Sequence, residues 1–169
     1  MVQMITMAST MREKALITIG VDPGRVTGWA FAVEGRPMIV DGAPICGYGP
    51  PEQAAKDILA ELAGNDEPVR IVFEAAFQGR FGAGVSVAYT TGFLVGLISP
   101  HLVAGSEVIR LPATQWRSRL WPGKKFKRDE AKRMAAAYAF DETGDESMKR
   151  PSREHVAEAV CIAIAMSNG

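Results

Sequence analysis

The chain has 169 residues, 47% of them hydrophobic, with 19 basic and 19 acidic side chains and a formal net charge of zero. That length suffices for one domain with its own core, and the composition is that of an ordinary globular protein rather than a disordered or fibrous one. Neutrality excludes attraction of the whole molecule to nucleic acid, so any basic surface must be local, and no apolar run is long enough to span a membrane.

Residues 1–14, MVQMITMASTMREK, lack a basic start followed by an apolar stretch, and read as a mobile lead-in rather than a signal peptide. Ala15–Val21 is short, apolar and β-branched and predicts a buried strand. Gly28–Val33 predicts a second strand and Pro37–Asp41 a third, joined by glycine-bearing turns into a meander. Pro51–Leu62 has apolar spacing near 3.6 and predicts a helix stopped at Gly64-Asn65. Val69–Phe73 predicts a strand that ends in Glu74, and Gly79–Gly84 a glycine-rich loop. Val85–Ile98 carries no charge and predicts a helix covered on most sides. Then come a strand over Ser106–Leu111, a short helix over Pro112–Trp121 and a helix over Lys127–Phe140. The last helix spans Ser152–Met166, with Ser152 as its N-cap. Cys46 and Cys161 fit no zinc spacing; Cys161 reads as a core thiol, which suits a reducing, cytoplasmic setting.

This order predicts an α/β fold with a mixed sheet and helices on both faces. If the first and fourth strands are parallel neighbours, Asp22 and Glu74 leave the sheet at one carboxyl edge, where open α/β sheets bind ligands. The last helix adds a third piece. Val156, Ala159, Val160, Ala163 and Ile164 form an apolar stripe, His155 and Glu158 share a face, and Glu158 interrupts an otherwise apolar run. A carboxylate there is costly without compensation. A cation held by Asp22, Glu74 and Glu158, with His155 beside them, supplies it, and this donor set suits Mg²⁺ or Mn²⁺. Each residue also has a plain structural role: Asp22 in an Asp-Pro-Gly turn, Glu74 at a solvated strand end, His155 in a helix first turn, Glu158 paired with an arginine.

The motifs IGVDPGRVTGWAF, VFEAAF and HVAEAVCIAIA, in that order and spacing, resemble the RuvC family of Holliday-junction resolvases. The resemblance runs from Ile17 to Ala165. It implies an RNase H-like fold with a five-stranded mixed sheet, three antiparallel strands followed by two parallel ones, in a single nuclease domain over residues 15–169. It implies metal-dependent hydrolysis of DNA phosphodiesters at four-way junctions, with two Mg²⁺ ions, or Mn²⁺ in their place, held by Asp22, Glu74, His155 and Glu158. His155 stands either as a ligand or as a group that places the attacking water. Glu158 departs from the family, which usually carries aspartate there. Phe77 matches an aromatic that wedges against bases at the junction centre.

The segment PATQWRSRLWPGKKFKRDEAKRM resembles the family's proline–basic segment. It concentrates Arg117, Arg119, Lys124, Lys125, Lys127, Arg128, Lys132 and Arg133 against only Asp129 and Glu130, interleaved with Trp116, Trp121 and Phe126. This is a candidate DNA surface with a steep salt dependence, and Arg80 is a second candidate in the loop after Glu74. The uncharged helix 85–98 resembles the family's dimer-forming helix, with Tyr89 and Thr90 or Thr91 toward the partner, and a C2 dimer matches the symmetry of a junction. The setting implied is the cytoplasm of a bacterium or of a bacteriophage's host. Other RNase H-like nucleases, acting on other branched DNA or on RNA–DNA hybrids, and a non-catalytic junction-binding protein remain alternatives.

Overall fold

The computed structural model describes residues 15–75 and 83–168. The lead-in 1–14, Phe77, Arg80 and the first part of the expected glycine-rich loop lie outside the described residues.

Strand β1 (Ile17–Asp22) is the centre of the sheet. It pairs antiparallel with β2 (Thr27–Val33) on one side and parallel with β7 (Val69–Ala75) on the other. Strand β8 (Glu107–Pro112) then pairs parallel with β7. The far side of β2 is shared by β3 (Arg36–Pro37) and β6 (Cys46–Gly49). The expected mixed sheet is present, with six strands rather than five.

The difference lies at the edge where a single third strand over Pro37–Asp41 is expected. Glu34-Gly35 and Asp41-Gly42 both have positive φ, the geometry of tight hairpin turns. The second turn splits off a separate ribbon, β4 (Ile39–Val40) with β5 (Ala43–Pro44), and β6 returns to the main sheet.

Side-chain alternation divides the sheet's two faces. Ile19, Val21, Phe31, Ile71 and Phe73 point to one face, where Ala54, Ala55 and Ile58 of α1 (Pro51–Glu61) and Leu94 and Ile98 of α2 (Ala83–Ile98) cover them. On the other face Ala30, Ala32, Val72 and Leu111 meet α3 (Ala113–Leu120), α4 (Arg128–Thr143) and α5 (Glu154–Ser167). Helix α5 is buried along its length from Val156 to Met166. Among the described residues no helix is long and apolar enough to cross a membrane.

Two details set the start of α5. Ser152 is not its N-cap: Pro151 opens a 3-10 turn, Pro151–Arg153, that already contains Ser152, and the α-helix follows with no side-chain cap. The helix also lies directly on the sheet backbone. A Cβ on Gly20 would overlap the Ala159 carbonyl oxygen, and one on Gly28 the carbonyl of His155. Both glycines are therefore conditions for the height at which α5 sits.

We predict that Gly20→Ala destabilises the fold by about 1–3 kcal/mol or more, because neither backbone can yield without displacing α5. Urea unfolding measures this, and an unchanged midpoint would contradict the close-contact account.

Candidate metal centre

The parallel register places the acidic residues. Val21 of β1 stands level with Phe73 of β7, so Asp22 and Glu74 are the next pair along. Both have the parity of Thr18, Gly20 and Val72 and turn toward the α5 face. Helix α5 begins above that edge and brings His155 and Glu158, one turn apart, down to Asp22. Ligand atoms of Asp22, His155 and Glu158 all lie within 4.8 Å of one another. His155 Nδ1 and Asp22 Oδ2 share a hydrogen bond of 2.5 Å.

Glu74 stands beside this group, but its carboxylate has another partner. Its Oε2 accepts a 2.8 Å hydrogen bond from Trp116 Nε1. Trp116 is fully buried on α3, which starts immediately after β8 ends at the same edge of the sheet. Next to it, Arg117 donates through Nη2 to Glu158 Oε1 at 3.1 Å, and its guanidinium lies 4.9 Å from the centre of the Trp116 ring. Lys132 bonds Glu154 at 2.9 Å on the flank of the cluster.

The electrostatics follow from crowding. Burial, then the charge of Asp22, raise the Glu74 carboxyl to about 6, against the opposing hydrogen bond from Trp116. Glu158 is pushed well above the carboxylate range by burial and by Asp22 and Glu74, with Arg117 and Lys132 pulling the other way. His155 is raised, chiefly by its hydrogen bond to Asp22. The cluster thus has a surplus of negative charge that protons or cations must balance. Carboxylate oxygens with one imidazole suit a hard divalent cation such as Mg²⁺ or Mn²⁺, so the residues present fit the group expected of them.

The other expected residues are dispersed. Lys124, Lys125, Lys127 and Arg128 are exposed around the start of α4. Arg117 and Lys132 are turned to the acidic cluster instead. Trp116 and Trp121 are buried, packing ring to ring with each other, so neither is an exposed stacking surface. On α2, Val85, Tyr89, Phe93 and Leu97 form an exposed stripe, while Thr90 and Thr91 are buried, so of the expected partner-facing residues only Tyr89 is on the open face. The residues that sequence reasoning missed as site members are Trp116, as the partner of Glu74, and Arg117, as the specific partner of Glu158. Their signal was a tryptophan and an arginine, four and five residues after the strand that neighbours Glu74, masked by the surrounding basic run.

Neither a protein-family model nor a curated protein sequence matches the chain. Solved structures do. A structure of Thermus thermophilus RuvC in complex with a Holliday junction substrate matches with 19% identity and a TM-score of 0.55, over 89% of this chain and 91% of that one. A second Thermus thermophilus RuvC structure matches with 20% identity and a TM-score of 0.56, over 89% and 92%. The chain has a RuvC-like fold. This is an RNase H-like α/β architecture, and in the RuvC-like frame the cluster of Asp22, His155 and Glu158 lies at the carboxyl edge of the central parallel strands.

Proposed function

We propose that residues 15–169 form a metal-dependent endonuclease that resolves four-way DNA junctions as a homodimer in the cytoplasm. The observation that carries this reading is the convergence of Asp22, His155 and Glu158, with Glu74 beside them, in a fold shared with a protein solved on a Holliday junction.

In this reading Asp22, Glu74, Glu158 and His155 hold two Mg²⁺ ions, with Mn²⁺ able to replace them. Divalent ions held there would supply charge neutralisation at a scissile phosphate, a lowered pKa for a bound water and stabilisation of the leaving oxygen. The chain's own contribution is placement. His155 fixes the Asp22 carboxylate through Nδ1, and Trp116 fixes that of Glu74. Phe77, Arg80, Lys124, Lys125, Lys127 and Arg128 are the proposed DNA contacts; the last four are exposed on one flank, where a neutral protein concentrates its positive charge. Arg117 and Lys132 also belong to the proposed DNA surface, at its inner margin, where both already face carboxylates.

The apolar stripe on α2 supports the dimer. Val85 and Tyr89 are 75% and 76% exposed, and Gly92 and Gly96 leave open space on the same helix, so two copies can approach closely about a two-fold axis. One observation favours a second reading: Arg117 already gives Glu158 a cationic partner, as a junction-binding protein without metal would require.

Asp22→Asn removes a metal ligand and leaves the basic flank untouched. We expect junction cleavage to fall by more than about a hundredfold while gel-shift binding persists; full cleavage by this variant would end the metal-site reading. Replacing Lys124, Lys125 and Lys127 by glutamine is expected to weaken junction binding and to flatten the log–log salt slope by about 2–3. An unchanged slope would assign those lysines to solubility alone.

A further inference from the structure

Arg117 is the least settled member of the cluster. It makes a single hydrogen bond to Glu158, through Nη2, rather than the two-pronged pairing that usually secures a buried arginine on a carboxylate. Its Nε is buried with no acceptor among the described residues. Its guanidinium rests on the face of Trp116, which is itself anchored to Glu74. A flat ring supports a guanidinium in more than one in-plane position without loss of stacking. The carboxylate that Arg117 engages is the same one whose oxygens, with Asp22 and His155, form the candidate cation site.

We propose that Arg117 is an intramolecular counter-cation for Glu158 that a divalent metal must displace, so that the metal-free protein carries its own occupant of the positive charge. The proposal rests on the metal-centre reading given above. A carboxylate this enclosed, with Asp22 beside it, stays ionised only with a positive partner close by. Arginine supplies it before loading. A divalent ion at the same oxygens repels the guanidinium at short range and takes over the compensation. The displaced guanidinium stays stacked on Trp116 at the edge of the centre, where an incoming phosphate would satisfy the Nε donor that now lacks an acceptor and the Nη2 donor released from Glu158. Arg117 therefore acts as a positioning residue: it holds Glu158 in place in the unloaded protein and sets the threshold for metal binding.

The test is a Mn²⁺ titration of the full-length, DNA-free protein, with free Mn²⁺ read by electron paramagnetic resonance. Wild type is compared with Arg117→Gln and Arg117→Lys, and each variant's fold is checked by circular dichroism. We expect Arg117→Gln to bind Mn²⁺ about tenfold more tightly, because its competitor is gone, and Arg117→Lys to stay within about twofold of wild type, because the charge remains. Thermal melting should show Arg117→Gln less stable than wild type without metal and more strongly stabilised by Mn²⁺. Equal or weaker Mn²⁺ binding by folded Arg117→Gln, in a wild type that binds the ion, overturns the proposal and makes Arg117 a structural support. Loss of affinity in both variants overturns it likewise. A wild type that binds no Mn²⁺ overturns the metal-centre reading itself, a result distinct from the other two.

Discussion

Mutual repulsion among Asp22, Glu74 and Glu158 is the constraint around which this molecule is organised. At an effective dielectric constant of 20, two unit charges 4 Å apart interact by about 4 kcal/mol, so three clustered carboxylates oppose folding unless each is answered. Each has its own answer. His155 bonds Asp22, Trp116 bonds Glu74, and Arg117 bonds Glu158. Burial first, and then the neighbouring carboxylates, still hold the Glu74 and Glu158 carboxyls above their ordinary range, so these partners offset the cost of ionisation only in part. A folded protein that retains such a residue of negative charge is storing affinity for cations.

The scaffold converts sequence-distant residues into neighbours by rigid means. Parallel pairing of β1 with β7 puts Asp22 and Glu74 level, and β8 delivers α3 to the same edge, so Trp116 and Arg117 arrive from a third strand. Gly20 and Gly28 let α5 settle on the sheet backbone, which lowers His155 and Glu158 to the strand ends. Both faces of the sheet are filled with apolar side chains, so the polar cluster sits at the rim of two packed layers and not on a loose loop. Placement on rigid elements is what coordination at fixed distances needs.

Much of this was legible in the sequence because the governing signals are local and periodic. The β-branched run before Asp22, the strand before Glu74 and the apolar stripe around Glu158 each specify an element and the end at which its acidic residue lies. What escaped was set by tertiary geometry or by turn detail. The Asp41-Gly42 turn divides an expected strand, and nothing in the composition of Pro37–Asp41 separates a strand from a short ribbon. Ser152 has the chemistry of a cap, yet Pro151 starts the turn one residue earlier. Trp116 and Arg117 were visible as types and not as partners: a basic stretch reads as a solvated or DNA-facing surface, and only the packing of α3 shows that one of its arginines turns inward to Glu158 while its tryptophan reaches Glu74.

In the proposed function the acidic cluster is a nuclease centre that needs divalent metal and works in symmetric pairs. Cleavage of an end-labelled synthetic four-way junction, in Mg²⁺, in Mn²⁺ and in excess chelator, tests it most directly. Paired nicks at symmetric positions in opposing strands are expected with either ion, and none with chelator. Tight junction binding with no nicks in either ion, or nicks that survive the chelator, would contradict it.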